Sequence, residues 1–486
     1  MKRSKPKSNT YLSLFKNIIT YGFGKSAEQF AKFLLLPLYT RYLNPEDYGI
    51  IALVNLLSNI AGSIFGLGTQ SSVFRFYKAS NNQSNSKLYY NSLVLLLCWT
   101  FLLLSISFLF KKKLSLLLFN NNEFDKHIMI GLLMTASMSF YNIPMFILRA
   151  EQKLKTFIKY NLGKLLVNVL LGIFFVVVLD GSALGALQAT LLTTFLFAIF
   201  TNFRRIKVYK FYLSLNQLKM MLSYGYPLVL SGICMVFINS SDRYFLNLSF
   251  SLEEIGIYSV GYMIGSSINI FISSFQSAWP QMMFQISNSS DRSEKYSKIF
   301  TYYIFFIGIV WITLSAFSYE IIYLMADHKF LKSYKIIPIV ALSYSIYGAT
   351  SITSAGIYIK NKTHNELILM PLVLFVCLTS NYLLIEPYGY IGAAYATLIS
   401  FTFMFFVYSL NAKKHIKLNL ETLKVFCLLG LFSFCFYITY FIQFENIWLG
   451  IIFKLLVILS ILVLTFSMKF FFYKDITLYL LKIFKN

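Results

Sequence analysis

The feature that most constrains this chain is a succession of apolar runs, each about 20 residues long, divided by short polar segments. A run of that length crosses the hydrocarbon core of a bilayer as a helix, and in lipid only helices and closed barrels satisfy their own backbone. Fourteen such runs lie near 16–38, 48–70, 88–110, 127–148, 157–179, 183–202, 221–247, 255–279, 299–325, 335–357, 366–386, 389–410, 421–442 and 446–470. The expected fold is therefore an all-α polytopic membrane protein with about 14 transmembrane helices. With 57% hydrophobic and only 13% charged residues, the 486-residue chain is far more apolar than a soluble one.

The net charge of +24 does not point to nucleic acid, because the basic residues come in short clusters between the apolar runs. The five cysteines fall inside apolar runs without a CxxC, and no HExxH, P-loop or GxSxG occurs. No metal, cofactor, catalytic residue or nucleic-acid partner is expected. If the first segment is cytoplasmic, 28 of the 43 Lys and Arg fall on the cytoplasmic side and 8 on the outer side. The positive-inside rule then puts both termini in the cytoplasm.

The first run carries Lys25, Glu28 and Lys32. At about 100° per residue these three lie within roughly 60° of one another, so one narrow face of a spanning helix is charged. Such a face is expected to look into a bundle or a water-filled cavity. An internal salt bridge of Glu28 with its two lysines is the plainer alternative, but one carboxylate neutralises only one of them.

The chain also repeats itself. RYLNPEDYGI at Arg41–Ile50 is echoed by RYFLNLSFSLEEIGIY at Arg243–Tyr258, and GALQAT from Gly185 by GAAYAT from Gly392, with offsets of 202 and 207. Two homologous six-span lobes are expected, an N-lobe at 1–210 and a C-lobe at 211–417, followed by two further spans in 418–486. An even span number makes this a parallel repeat, with a substrate route between the lobes.

LLLPLYTRYLNPEDYG (Leu34–Gly49), FRFYKA (Phe74–Ala79) and LIEPYGYIGAAYATLIS (Leu384–Ser400) resemble the polysaccharide-export branch of the multidrug/oligosaccharidyl-lipid/polysaccharide exporter superfamily, and within it the bacterial O-antigen and capsule repeat-unit flippases. The resemblance implies a V-shaped, two-lobe, alternating-access transporter in the bacterial inner membrane. It moves an undecaprenyl-diphosphate-linked oligosaccharide to the outer leaflet and works beside a polysaccharide polymerase and chain-length machinery. The peptidoglycan-precursor flippase of the superfamily has an Arg-Asp pair early in span one; here Lys25 and Glu28 stand in that neighbourhood, which favours another lipid-linked sugar. Two other readings stay open, a drug/cation antiporter of the same superfamily and a membrane polymerase or ligase. The antiporter would want an acidic lumen, and the enzyme a large outer loop.

The expected substrate contacts are Lys25, Glu28, Lys32 and Lys164, with Arg75 and Arg149 at the cytoplasmic mouth, where ordinary loop charge explains them as well. In span two, Asn55, Ser58, Asn59, Gly62 and Gly66 share one face; in span five, Asn161, Lys164, Asn168 and Gly172 share another. Either face lines a lumen or, for Gly62-x-x-x-Gly66, packs closely on a neighbour. Asp242 reads as the only carboxylate well placed in the C-lobe spans. By resemblance to sodium-holding flippases, Asp242, Asn381 and Thr397 fall at a sodium or proton coupling site; a local ion pair with Arg243 is the alternative.

Overall fold

Two helices, one in each half of the chain, begin in the same way. Asn44-Pro-Glu-Asp-Tyr-Gly opens helix α2 (Pro45–Gly66) and Ser251-Leu-Glu-Glu-Ile-Gly opens α10 (Leu252–Gly265). Each has a polar residue before the first turn and two acids inside it, where helix N-terminal N–H groups favour negative charge. The Asn44 N–H donates to Asp47 Oδ2 at 3.0 Å, and the Ser251 hydroxyl accepts from Glu254 N at 3.3 Å. Asp47 Oδ1 accepts a further bond, 2.9 Å, from the Ala183 N–H at the start of α8 (Ala183–Ile206), so one carboxylate ties two helix starts together.

The computed structural model describes residues 33, 35–77, 82–287, 292–360, 365–414, 421–442, 444 and 446–467. Among them there is no strand. In chain order a helix over 35–42 (α1) precedes α2, followed by α3 (Thr69–Phe76), α4 (Asn82–Leu109), α5 (Lys111–Phe119), α6 (Asp125–Ala150), α7 (Leu154–Gly172, prolonged as a wide turn to Val178), α8 and α9 (Leu215–Ser249). After α10 come α11 (Asn269–Ser287), α12 (Arg292–Ala316), α13 (Ser318–Met325), a tight helical segment at His328–Lys335, α14 (Ile337–Thr353), α15 (Ala355–Ile359), α16 (Glu366–Lys413), α17 (Thr422–Phe441) and α18 (Ile447–Ser467).

Among the described residues eleven helices are long and apolar enough to cross a membrane, or twelve if the bent pair His328–Lys335 and Ile337–Ile359 is one span. This is a multi-pass membrane protein. The expected span at 16–38 lies mostly outside the described residues. The expected spans 366–386 and 389–410 fall within the 48-residue α16, which would be about 72 Å long if straight, over twice the hydrocarbon core. It breaks at Gly389 (φ 57°, ψ −138°), a conformation that a side chain would resist. The basic run Lys111–Lys113 is no loose loop: it opens α5, and Lys111 bridges Asp125 at 3.0 Å.

In the first half of the chain α6 packs against α2 and α8, and α7 against α8; in the second, α16 packs against α9 and α14, and α12 against α14 and α17. One further buried contact corrects the sequence reading of Asp242 as the sole well-placed carboxylate there. Glu320 of α13 is buried and bonds the equally buried Lys454 of α18 at 2.5 Å, although 134 residues separate them. Each charge is held in the apolar layer by the other, and losing one partner of such a pair costs about 3–5 kcal/mol.

The halves meet mainly where α2 crosses α10 and α9. A Cβ added to Gly49 would lie 2.0 Å from the Leu252 carbonyl oxygen, and one added to Gly256 would lie 1.8 Å from that of Pro45. The contact is reciprocal between equivalent positions of the two helix starts. At the other end of α2 the chain turns through Leu67 (φ 44°) and Gly68 (φ 66°), and Gly68 lies backbone to backbone with Gly225 of α9.

Candidate functional site

Between these two crossings lie two adjoining chambers of about 470 and 450 Å³, sharing Asn55, Asn59, Met134 and Thr190 in their walls. The first, toward Gly68, is walled by α2, α6, α7, α8 and α9. All five residues of the span-two face, Asn55, Ser58, Asn59, Gly62 and Gly66, line it. Gly62 meets only a methyl at 3.5 Å and Gly66 nothing within 4 Å, so these glycines widen the chamber and do not notch a tight helix crossing. Lys164 enters from α7; its Nζ lies 3.1 Å from Met138 Sδ and 4.7 Å from the centre of the Tyr141 ring.

The second chamber, toward Gly49, is walled by Phe33 and α1, then α2, α6, α7, α8, α9, α10 and α14. Asn168 lines it, while Asn161 of the same face instead accepts the Tyr141 hydroxyl at 3.1 Å, and Gly172 makes room for the Tyr39 ring. Tyr39 Oη, Asn168 Oδ1 and Ser259 Oγ have no hydrogen-bond partner among the described residues, and all three residues line the chamber. Buried polar groups are rarely left unpaired, so this wall offers polar atoms to whatever lies against it. A third cavity, among α12, α14, α16 and α17, has a contrasting wall of side chains such as Ile304, Trp311, Phe405 and Leu429.

The sequence did not single out Arg243 as a site residue, yet it lines the second chamber. Its Nη1 donates to Asp242 Oδ1 at 2.8 Å and to the Asn239 carbonyl at 3.1 Å, and its guanidinium lies 4.3 Å from the centre of the Tyr262 ring. Asp242 is buried behind the wall, its Oδ2 accepting from Tyr258. The ion pair weighed as an alternative for Asp242 is thus present. Asn381 and Thr397 are buried close by. Asn381 donates to Ser241 at 3.1 Å and leaves its Oδ1 without a partner among the described residues, while Thr397 approaches Tyr258 and bonds the Ala393 carbonyl at 3.2 Å. Both carboxylate oxygens of Asp242 are engaged by protein groups, and among the described residues no group of three or more His, Cys, Asp or Glu is placed to hold a metal.

Arg75 and Arg149 do not line either chamber. Arg75 is exposed on α3, 5.6 Å over the Tyr224 ring beside the Gly68–Gly225 contact; Arg149 ends α6, about 6 Å from the Phe146 and Phe157 rings. Below Arg149, Glu151 takes both arms of Arg205, at 2.7 and 3.0 Å. Burial works to raise the Glu151 carboxyl, but its bonds to Arg205 and Lys153 outweigh it and hold the group below the usual range. Lys25, Glu28 and Lys32 lie outside the described residues.

A family model described as polysaccharide biosynthesis protein matches residues 14–287, over half of the chain. A curated relative, Lsg locus putative protein 1 of Haemophilus influenzae, is 22% identical over 282 residues; the match spans 55% of this chain and 65% of that protein, just under two thirds of its length. Among solved structures, the lipid II flippase MurJ in an inward closed conformation superimposes with a TM-score of 0.73 at 16% identity, covering 94% of this chain and 99% of that one. An inward-facing multidrug resistance MATE family transporter of the MOP superfamily superimposes with a TM-score of 0.66, also at 16% identity, covering 83% and 96%. Both likenesses are of fold.

Proposed function

The chain belongs to the polysaccharide biosynthesis protein family, and on that premise we propose that it is a flippase for a lipid-linked oligosaccharide. The cargo in this reading is an undecaprenyl-diphosphate-linked O-antigen, capsule or exopolysaccharide repeat unit, carried from the cytoplasmic to the outer leaflet of the bacterial inner membrane by alternating access. The observation that carries the reading is the pair of chambers between the two halves, whose walls mix polar and apolar side chains, with Lys164 in one and Arg243 in the other. A glycan needs a wetted path, and a diphosphate needs cations that desolvate with it.

The units of the reading are an N-lobe (1–210), a C-lobe (211–417) and the two spans of 418–486. Charge distribution orients it, with the basic segments and both termini cytoplasmic, so the Gly68–Gly225 contact faces the cytoplasm and the Gly49–Gly256 contact the outside. Outward movement of a diphosphate is favoured by an inside-negative potential, roughly 2.3 kcal/mol per charge per 100 mV, so the reading requires no ion at Asp242, Asn381 and Thr397. It is a transport reading without covalent chemistry, which sets it apart from a polymerase or ligase.

The test is complementation in cells lacking their repeat-unit flippase. The unaltered chain restores surface glycan, and Lys25→Ala/Lys32→Ala/Lys164→Ala protein, present in the membrane, leaves lipid-linked oligosaccharide on the cytoplasmic leaflet. Normal surface glycan from the triple variant removes the lysines from the reading. Reconstituted chain that extends glycan chains without moving lipid-linked units across a vesicle bilayer overturns the flippase itself.

A further inference from the structure

We infer that Arg243 is the contact for a phosphate or diphosphate group in the second chamber, and that Asp242 sets how tightly it holds. This rests on the flippase reading only for the identity of the cargo. Neighbouring residues on a helix point about 100° apart and do not normally face each other. Asp242 accordingly turns into the second half, toward Tyr258, while Arg243 turns to the lumen and bends its Nη1 back to the carboxylate.

The guanidinium is fixed from several sides. Tyr262 lies beneath its face; that ring is itself held by bonds from its hydroxyl to the Asn239 carbonyl, 3.2 Å, and with the Tyr344 hydroxyl, 2.8 Å. Tyr344 reaches Asn239 Oδ1 at 3.3 Å, and the Asn239 carbonyl also accepts Arg243 Nη1. Among the described residues only its Nη1 donors are used. Nε and Nη2 carry no hydrogen bond to the described residues, and together they form the flat edge of a fork that matches two phosphate oxygens. Arg243 is 12% exposed and Asp242 4%, so the pair is largely desolvated and neutral as a unit. An anion arriving at the free edge shares the guanidinium with Asp242 and is held less firmly than it would be by an unpaired arginine. A carrier needs that moderation, because a cargo bound too well on entry is not released.

The chemistry fits a lipid diphosphate headgroup or a free phosphate, and the measurement separates them. Protein in nanodiscs is titrated with farnesyl diphosphate, inorganic pyrophosphate and neutral farnesol, and flipping of a polyprenyl-diphosphate-linked glycan is followed in vesicles. Arg243→Gln is expected to weaken farnesyl diphosphate binding by about tenfold or more, the worth of charged hydrogen bonds, without changing farnesol binding. Arg243→Lys keeps the charge without the fork and falls between. Asp242→Asn is expected to lower both the KM and the turnover for flipping, a split that simple destabilisation does not give. Asp242→Asn/Arg243→Gln removes both charges at nearly constant shape; it tests the anion contact without an orphaned buried charge, and it is expected to bind as weakly as Arg243→Gln.

Unchanged diphosphate binding in the double variant, or equal losses for farnesol, overturns the contact. An unchanged KM and turnover in Asp242→Asn overturns the tuning. Pyrophosphate binding as tightly as farnesyl diphosphate overturns the headgroup in favour of a free phosphate. Arg243-dependent binding in a protein that flips nothing sinks the flippase reading and leaves this site standing; normal flipping by Arg243→Gln does the reverse.

Discussion

The two ends of the interface between the halves are built on glycine in different ways. At the Gly49–Gly256 end two helix first turns cross with equivalent residues in reciprocal contact, each glycine against the other helix's first carbonyl. That crossing is braced on all sides: Asp47 ties in α8, Lys329 reaches Asn44 at 3.0 Å, and Tyr48 sits edge-on to Phe330 at 5.2 Å. At the Gly68–Gly225 end the contact rests on a left-handed turn between two helices, held by buried side-chain bonds from Thr69 to the Gly66 carbonyl at 2.7 Å and from Ser72 to the Met221 carbonyl at 2.8 Å, with Arg75 lying over Tyr224. A helix crossing separates as a unit, whereas a turn can open by local rotation. The same residue type thus closes one end by helix against helix and the other by a turn against a helix, and in the flippase reading the first is expected to be the stiffer.

The largest expected effect comes from filling the stiff crossing. Gly256→Val places its branch against the Pro45 carbonyl and forces α2 from α10, so surface glycan is lost and a cysteine at Ser259, in an otherwise cysteine-free chain, gains reactivity toward an impermeant maleimide added outside. Silence of that cysteine would mean that the crossing does not close the second chamber. A smaller effect is expected from Gly68→Ala, which pays about 1–2 kcal/mol for a left-handed residue with a side chain, besides displacing Gly225. It opens the other end, and a cysteine at Asn142 becomes reactive from the cytoplasmic side while glycan export falls only in part; equal losses in the two glycine variants would erase the difference in stiffness. The smallest is Ser72→Ala, about 0.5–1.5 kcal/mol for one hydrogen bond, read as a modest lowering of Tm with export retained.

Sequence carried far where the cause is local. From α2 to α18 the spans follow hydropathy, while the capping of two helix starts by Asn44 and Ser251 emerges only in the structure. The face Asn55–Gly66 was legible as a candidate lumen wall because a period of 3.6 gathers its polar residues, but the same pattern was equally compatible with close packing until Gly66 was seen to touch nothing. Charge alone places Arg75 and Arg149 near the mouth, and charge does not say which way a side chain near a helix end turns. Arg243 is not legible as a site residue, because in sequence its neighbour Asp242 offers it a local partner.

By itself the sequence determined the membrane class and the helical fold, because lipid obliges each crossing to satisfy its own backbone and so writes every span into a continuous stretch of residues. Tertiary structure decided what those spans enclose. Whether Gly49 and Gly256 interlock, whether Glu320 finds Lys454 across 134 residues, and whether Arg243 looks into a lumen or into lipid depend on crossing angles and helix rotations set by many distant side chains at once, and no local pattern encodes them.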